Sequence, residues 1–227
     1  MIRVAVAGAG RMGRAIATGL ESAGDMELAG LWKRDDDLDA LVSAADVVVD
    51  FSLPDGTSQV LDAVVRFGKP LVCGVSGLTE AHLRRIDEAA ATVPVVYDRN
   101  MSIGIAVLTG AVRAAAASLG PEFNVRIAEV HHVHKKDAPS GTALMLGEAI
   151  AAARGEEGTG SVEFQSERRG EVPGEHEVIL SSPTETLTLG HAVTTRQVFA
   201  DGAIRAARWL VDQPPGRYRM SDVLSVG

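Results

Sequence analysis

The sequence predicts an α/β fold in which a parallel sheet with crossover helices is followed by a smaller α+β region with a mainly antiparallel sheet. Three observations predict it. Short apolar runs alternate with helical periodicity through the first hundred residues, a glycine-rich turn follows the first run, and from Ser161 strand-like runs follow one another without long helices between them.

Taken in order, Arg3 to Ala7 is an apolar strand, and Arg11 to Ala23 places Gly13, Ile16, Ala17 and Leu20 on one helical face. Glu27 to Trp32, Asp46 to Phe51, Leu71 to Val75 and Val93 to Tyr97 read as further strands, with helices at Gly56 to Phe67 and Glu80 to Ala91. Ser102 to Leu119 is a long Ala-rich helix that bridges two domains. Val125 to Val133 is a β-branched strand, and Ser140 caps a helix whose apolar series is Ala143, Leu146, Gly147 and Ile150. Ser161 to Gln165, Glu177 to Ser181 and Thr184 to His191 follow as strands, and Gly155 to Gly160 is an acidic surface loop. Thr195 to Val211 returns to helical periodicity, with Val198, Ile204, Ala207 and Leu210 on the apolar side, and packs back on the first domain. The expected organisation is discontinuous: residues 1–101 with 196–227, and 102–195 between them.

Composition narrows the function. The 227 residues are 46% hydrophobic without a long uninterrupted apolar span, so a soluble globular protein without a membrane segment is expected. The opening Ile-Arg-Val-Ala-Val-Ala-Gly is too short in its apolar part for a signal peptide, and the single Cys73 cannot form an intrachain disulfide, so a cytoplasmic location is expected. Cys73 lies in an apolar run and reads as core. A net charge of -8 argues against general nucleic-acid binding and would repel an anionic substrate unless a local basic cluster overrides it.

Gly8-Ala9-Gly10-Arg11-Met12-Gly13 matches Gly-x-Gly-x-x-Gly between a strand and a helix, the context of a dinucleotide-binding, Rossmann-type domain. Gly8 permits the tight turn, Gly10 lets the backbone approach a pyrophosphate, and Gly13 allows close helix packing. An acidic residue about twenty positions on ordinarily holds the NAD ribose. Here Lys33 and Arg34 stand at that place, which favours the 2′-phosphate of NADPH over NADH, although Asp35 to Asp37 could restore an acidic contact.

Glu129 to Thr142, Glu-Val-His-His-Val-His-Lys-Lys-Asp-Ala-Pro-Ser-Gly-Thr, carries the second constellation. Strand alternation puts His131 on the side of Glu129 and sends His132 and His134 the other way, so the three histidines do not converge on one metal ion. The helix start after Pro139 offers backbone N–H groups to a carboxylate or phosphate, Gly141 allows close approach, and Lys135 and Lys136 supply ammonium groups. An anionic substrate beside a proton donor is predicted.

This run is similar throughout its length to the signature of the 4-hydroxy-tetrahydrodipicolinate (dihydrodipicolinate) reductase family. Gly10-Arg11-Met12-Gly13, Asp50-Phe51-Ser52, Pro54-Asp55-Gly56-Thr57, Gly74-Val75-Ser76-Gly77 and Asn100-Met101-Ser102-Ile103-Gly104 match in the family's order. The resemblance implies NAD(P)H-dependent reduction of 4-hydroxy-tetrahydrodipicolinate to tetrahydrodipicolinate in diaminopimelate and lysine biosynthesis, by hydride transfer and enamine protonation. It implies His131 as catalytic acid or base and Lys135 as proton donor, with His132, Lys135, Gly141 and Thr142 holding the dicarboxylate. Gly8, Ala9, Gly10, Arg11, Met12 and Gly13 would line the cofactor with Lys33, Arg34, Gly74, Val75, Ser76, Asp98, Arg99, Asn100 and Met101. It further implies a homotetramer built through the sheet of residues 102–195, the substrate-binding and oligomerisation domain. The chain departs from the family in a short stretch between Arg34 and Asp46, in Asp98-Arg99 before Asn100, and around Glu171 to His176, where a strand and loop are expected to be missing. Another NADP-dependent imine or amino-acid dehydrogenase, a nonenzymatic NADP-binding sensor and a zinc module remain as alternatives.

Overall fold

The computed structural model describes residues 1–224, which divide into two compact units, residues 1–103 with the chain from Gln197 onward, and Gly104–Arg196. In the first unit, β1 (Ile2–Ala7), α1 (Arg11–Glu21), β2 (Met26–Trp32), α2 (Leu38–Ser43), β3 (Val47–Asp50), α3 (Pro54–Phe67), β4 (Leu71–Cys73), α4 (Glu80–Ala90) and β5 (Pro94–Tyr97) alternate. In the second, α5 (Ile103–Leu119), which starts at the boundary, is followed by β6 (Asn124–His131), α6 (Gly141–Ala153), β7 (Glu163–Arg168), β8 (Glu175–Ser181) and β9 (Thr186–Ala192). The chain then re-enters the first unit with α7 (Gln197–Leu210), β10 (Gly216–Tyr218) and α8 (Met220–Leu224).

The first sheet has the order β10-β5-β4-β3-β1-β2 and every pairing is parallel. Its central strands are buried on both faces, which is why Val47, Val48 and Val49 form an unbroken apolar run rather than an alternating one. Ala5, Ala7, Val48, Leu71 and Cys73 pack with Val60, Val64 and Ile86 of α3 and α4, while α1 and α7 pack on each other. Arg208 of α7 donates to both carboxylate oxygens of Asp25, at 2.5 and 2.8 Å. Burial pushes the Cys73 thiol well up, so it stays protonated.

The second sheet has the order β7-β6-β8-β9, with β6 parallel to β7 and antiparallel to β8, and β8 antiparallel to β9. One face buries Val125, Ile127, Val178 and Leu180 against Ile105, Leu108 and Val112 of α5 and Ala143, Leu146 and Ile150 of α6. The sheet is therefore mixed but mainly antiparallel, and residues 169–174 are the short passage from β7 into β8, which Glu175 and His176 open.

Several element bounds differ from those the sequence predicts. The strand expected over Val125 to Val133 ends at His131, because the chain turns there and the Lys135 N–H donates to the His132 carbonyl. The strand expected over Ser161 to Gln165 lies at Glu163–Arg168, and α2, β10 and α8 are too short to carry a period legible in the sequence.

Candidate functional site

In the first unit, the expected cofactor residues share one edge of the sheet. Gly8 to Gly13 follow the carboxyl end of β1, Lys33 and Arg34 that of β2, Gly74 to Ser76 that of β4, and Asp98 to Met101 that of β5. The connections run outward in opposite directions from β1 and β3, which makes their carboxyl ends the switch point of the sheet, the place where open parallel sheets bind ligands.

The glycine loop is fixed by contacts. Gly8 has φ +101° and a side chain there would strike the Phe51 carbonyl at 2.7 Å, while one on Gly13 would overlap the Gly8 carbonyl at 1.8 Å. A side chain on Gly10 would meet nothing within 4 Å, and Gly10 as N-cap leaves the start of α1 without a side-chain cap or an acidic residue in its first turn. The loop therefore presents backbone N–H groups and the positive helix end to open space, which fits a pyrophosphate. Lys33 and Arg34 are exposed. Of the nearby carboxylates, Asp36 accepts the Lys33 N–H at 2.9 Å and Asp37 caps α2 by accepting the Ala40 N–H at 3.0 Å. Gly74 lies against the Phe51 ring, Val75 is buried and Ser76 exposed. Asp98 accepts the Met220 N–H at 3.2 Å, and desolvation raises its carboxyl despite that bond; Arg99 is exposed, the Asn100 side chain accepts the Ser102 N–H at 2.8 Å, and Met101 is buried.

In the second unit, the buried face of β6 changes chemistry along its length: Val125 and Ile127 are apolar, Glu129 and His131 are not. Cross-strand register extends this into a polar layer, with Glu129 opposite Ser166 on β7 and His176 on β8, His176 opposite His191 on β9, and His131 opposite Arg168. Glu129, 2% exposed, accepts from Arg168 Nη1 at 3.0 and 3.1 Å and is hydrogen-bonded to Nδ1 of His131. Burial alone would raise the Glu129 carboxyl, but bonds from Ser166, His131 and Arg168 hold it below the usual carboxylate range. Burial lowers the His131 imidazole, and Lys135 and Arg168 push the same way against the pull of Glu129. A side chain on Gly174 would come within 3.1 Å of His131 Nε2, so the glycine leaves that nitrogen room.

His176 packs edge-on against His131 with ring centroids 5.1 Å apart, and its Nε2 lies 3.1 Å from Ser140 Oγ. Ser140 in turn caps α6 by accepting the Ala143 N–H at 3.1 Å. Lys135 Nζ pairs with Asp137 at 2.8 Å. Burial would raise the Asp137 carboxyl, yet the Lys135 ammonium and the Gly141 N–H hold it low, so a carboxylate already lies against the cation and the helix start. Thr142 is buried at the second position of α6, and a side chain on Gly141 would meet nothing within 4 Å.

The histidines separate. Because β6 ends at His131, His132 lies in the turn instead of on the opposite strand face, its imidazole lowered first by desolvation and then by Arg196, and exposed His134 bonds Glu171 at 3.1 Å. Among the described residues no group of three or more His, Cys, Asp and Glu side chains is arranged to hold a metal ion. His176, Arg168 and Ser166 are not singled out by sequence reasoning, since cross-strand register gives them their place beside Glu129 and His131.

A parallel sheet with a glycine loop opening onto a helix start, joined to a second unit with a buried acid-base layer, defines the class: an oxidoreductase that uses a nicotinamide nucleotide. Profiles described as Dihydrodipicolinate reductase, N-terminus, and Dihydrodipicolinate reductase, C-terminus, match residues 2–101 and 104–224. The chain belongs to the dihydrodipicolinate reductase family.

A protein of Zymomonas mobilis named 4-hydroxy-tetrahydrodipicolinate reductase is 40% identical over 244 aligned positions, covering 97% of this chain and 96% of its own. Those positions exceed the 227 residues here, so the alignment spans segments this chain lacks. A protein of the same name from Xanthomonas campestris is 46% identical over 181 positions, 80% of this chain and 74% of its own. Among solved structures, a dipicolinate-bound dihydrodipicolinate reductase from Paenisporosarcina sp. TG-14 shares the fold with a TM-score of 0.81 at 23% identity, covering 96% of this chain and 97% of its own. A DAP dehydrogenase of C. glutamicum in complex with DAP shares it at 0.65 and 16% identity, covering 100% and 96%. Among the described residues no helix is long and apolar enough to cross a membrane.

Proposed function

We propose that this protein reduces 4-hydroxy-tetrahydrodipicolinate to tetrahydrodipicolinate, the hydroxyl leaving as water and the dehydrated ring taking up a hydride and a proton, with NADPH as the favoured donor. Family membership supports the reaction. The observation that carries the substrate class is the Asp137 carboxylate, held by the Lys135 ammonium and the Gly141 N–H. Those are the groups a substrate carboxylate requires, and Thr142 and His132 extend the same anion-binding edge.

A bound nicotinamide nucleotide would supply the hydride, and Gly8 to Gly13 with the strand ends of β2, β4 and β5 would hold it. The protein's own residues handle the proton and the charge. A lowered imidazole is neutral near pH 7, so His131, with Nδ1 turned to Glu129, keeps Nε2 as an acceptor while the Lys135 ammonium donates. Lys33 and Arg34 support a 2′-phosphate contact, because two neighbouring carboxylates are already engaged by local N–H groups. The half-buried Ala128, Val130 and Ile179 on the other face of the second sheet support assembly through that face, as a homotetramer.

Oxidation of NADPH and NADH with freshly generated 4-hydroxy-tetrahydrodipicolinate tests the proposal. Turnover with NADPH preferred is expected, and Lys33→Asp with Arg34→Ala should lower the NADPH to NADH preference by tenfold or more, about 1.4 kcal/mol. No turnover from folded protein with either donor sinks the reaction, and an unchanged ratio in the double variant sinks the phosphate contact.

A further inference from the structure

Arg168 lies at the end of β7, opposite His131 in register, and its side chain is 21% exposed. All three guanidinium nitrogens donate. Nη1 donates to both Glu129 oxygens at 3.0 and 3.1 Å and to the Glu167 carbonyl at 2.7 Å, Nη2 to the Asp137 carbonyl at 2.5 Å, and Nε to the Lys135 carbonyl at 3.3 Å. One planar group thus joins the buried carboxylate that turns His131 to the backbone of the loop that carries Lys135.

We propose that Arg168 is a positioning residue for the reaction, a clamp that fixes the 135–137 loop on the Glu129 carboxylate and so aims the Lys135 ammonium and the His131 imidazole together. The inference rests on the roles given above to Lys135 and His131. The chemistry demands arginine, because its rigid fork reaches the Glu129 carboxylate and the two loop carbonyls of Lys135 and Asp137 on different sides at once. A lysine at 168 would keep the charge beside Glu129 but lose the planar spread of donors. Without the clamp, Lys135 would still pair with Asp137 through its side chain and keep the bond of its N–H to the His132 carbonyl, but the Lys135 and Asp137 carbonyls would lose their tie to β7 and Glu129. Misplacement of a reacting group by about 1 Å costs on the order of 100-fold in rate.

The groups that face His131 are Glu129 on its own strand, Arg168 on β7, His176 on β8 with His191 behind it on β9, and Lys135 with Asp137 in the loop. Removing the Arg168 cation takes away one of the charges that oppose an imidazolium, so the pH limb set by His131 moves upward in Arg168→Ala.

The test uses the full chain with NADPH and 4-hydroxy-tetrahydrodipicolinate, and wild-type turnover is measured first. Absence of wild-type turnover overturns the reaction and the clamp's role in it. With wild type active, Arg168→Lys is expected to fold with an unchanged far-UV spectrum and NADPH affinity, to lose about 100-fold in kcat, and to change the substrate KM far less. Arg168→Ala is expected to regain turnover on addition of guanidinium and to show the shifted pH limb. Wild-type kcat in Arg168→Lys, or loss in Arg168→Ala with neither guanidinium rescue nor a pH shift, overturns the clamp while leaving the reaction standing.

Discussion

His176 shows how a buried polar layer is tolerated inside an otherwise apolar sheet face. It is 3% exposed, and burial, with His131 next, pushes its imidazole down to about 3, so it stays neutral at ordinary pH. In the unfolded chain a histidine titrates near the ordinary value of about 6.5. The unfolded state therefore binds more protons between pH 6.5 and about 3, and the stability fully present above 6.5 is lost as pH falls through that window. By pH 4 the loss assigned to this one residue is on the order of 3 kcal/mol. His176→Gln, which keeps a neutral polar group beside Ser140, should flatten the difference in urea-unfolding stability between pH 7 and pH 4; equal slopes in variant and wild type would contradict the assignment. The sequence reveals half of this layer. Strand alternation places Glu129 and His131 on one side, but His176 and Arg168 join them only through cross-strand register, which a single sequence does not encode.

Helix α6 is the element on which structure and binding meet. Ser140 caps it through the Ala143 N–H and also meets His176, so the helix start is tied to β8 as well as closed on itself. Ser140→Ala should cost about 1 kcal/mol from the lost cap alone, measured by denaturant unfolding. Because the same change releases the first turn from β8, it should also raise the KM for the dicarboxylate while leaving NADPH affinity unchanged; an unaltered KM would separate the cap from the binding edge. The sequence announces this helix well, since Ser-Gly-Thr precedes a regular apolar series and each of Ala143, Leu146, Gly147 and Ile150 is buried. The end of β6 is less legible. Val133 extends the β-branched pattern, but its N–H reaches the Gly170 carbonyl beyond the end of β7, and the chain leaves the strand at His132. Turn geometry overrides side-chain propensity there, and it moves His132 from an opposite strand face to the start of the site loop.

At the scale of the whole chain, the two units have separate cores drawn from separate stretches of sequence, and the first is assembled from both ends of the chain. α7 belongs with it by packing: a side chain on Gly202 would overlap the Met101 carbonyl at 1.8 Å, one on Gly19 of α1 would come within 2.7 Å of Ile204, and Arg208 holds Asp25. A ligand that binds only the native form of a unit stabilises it by about 2.7 kcal/mol at 100 times its Kd, and amides that exchange only when that unit opens slow by about 100-fold. NADPH at that excess should therefore protect residues 197–210 together with the core of β1, β3 and β4, although more than a hundred residues of chain lie between them. Dipicolinate, taken as a dicarboxylate probe, should protect β6, β8 and α6 instead. Hydrogen exchange read by mass spectrometry distinguishes the outcomes. If α7 gains protection with dipicolinate and none with NADPH, the discontinuous unit is not the one that answers the nucleotide, and the assignment of Gly8 to Gly13 as its anchor fails with it.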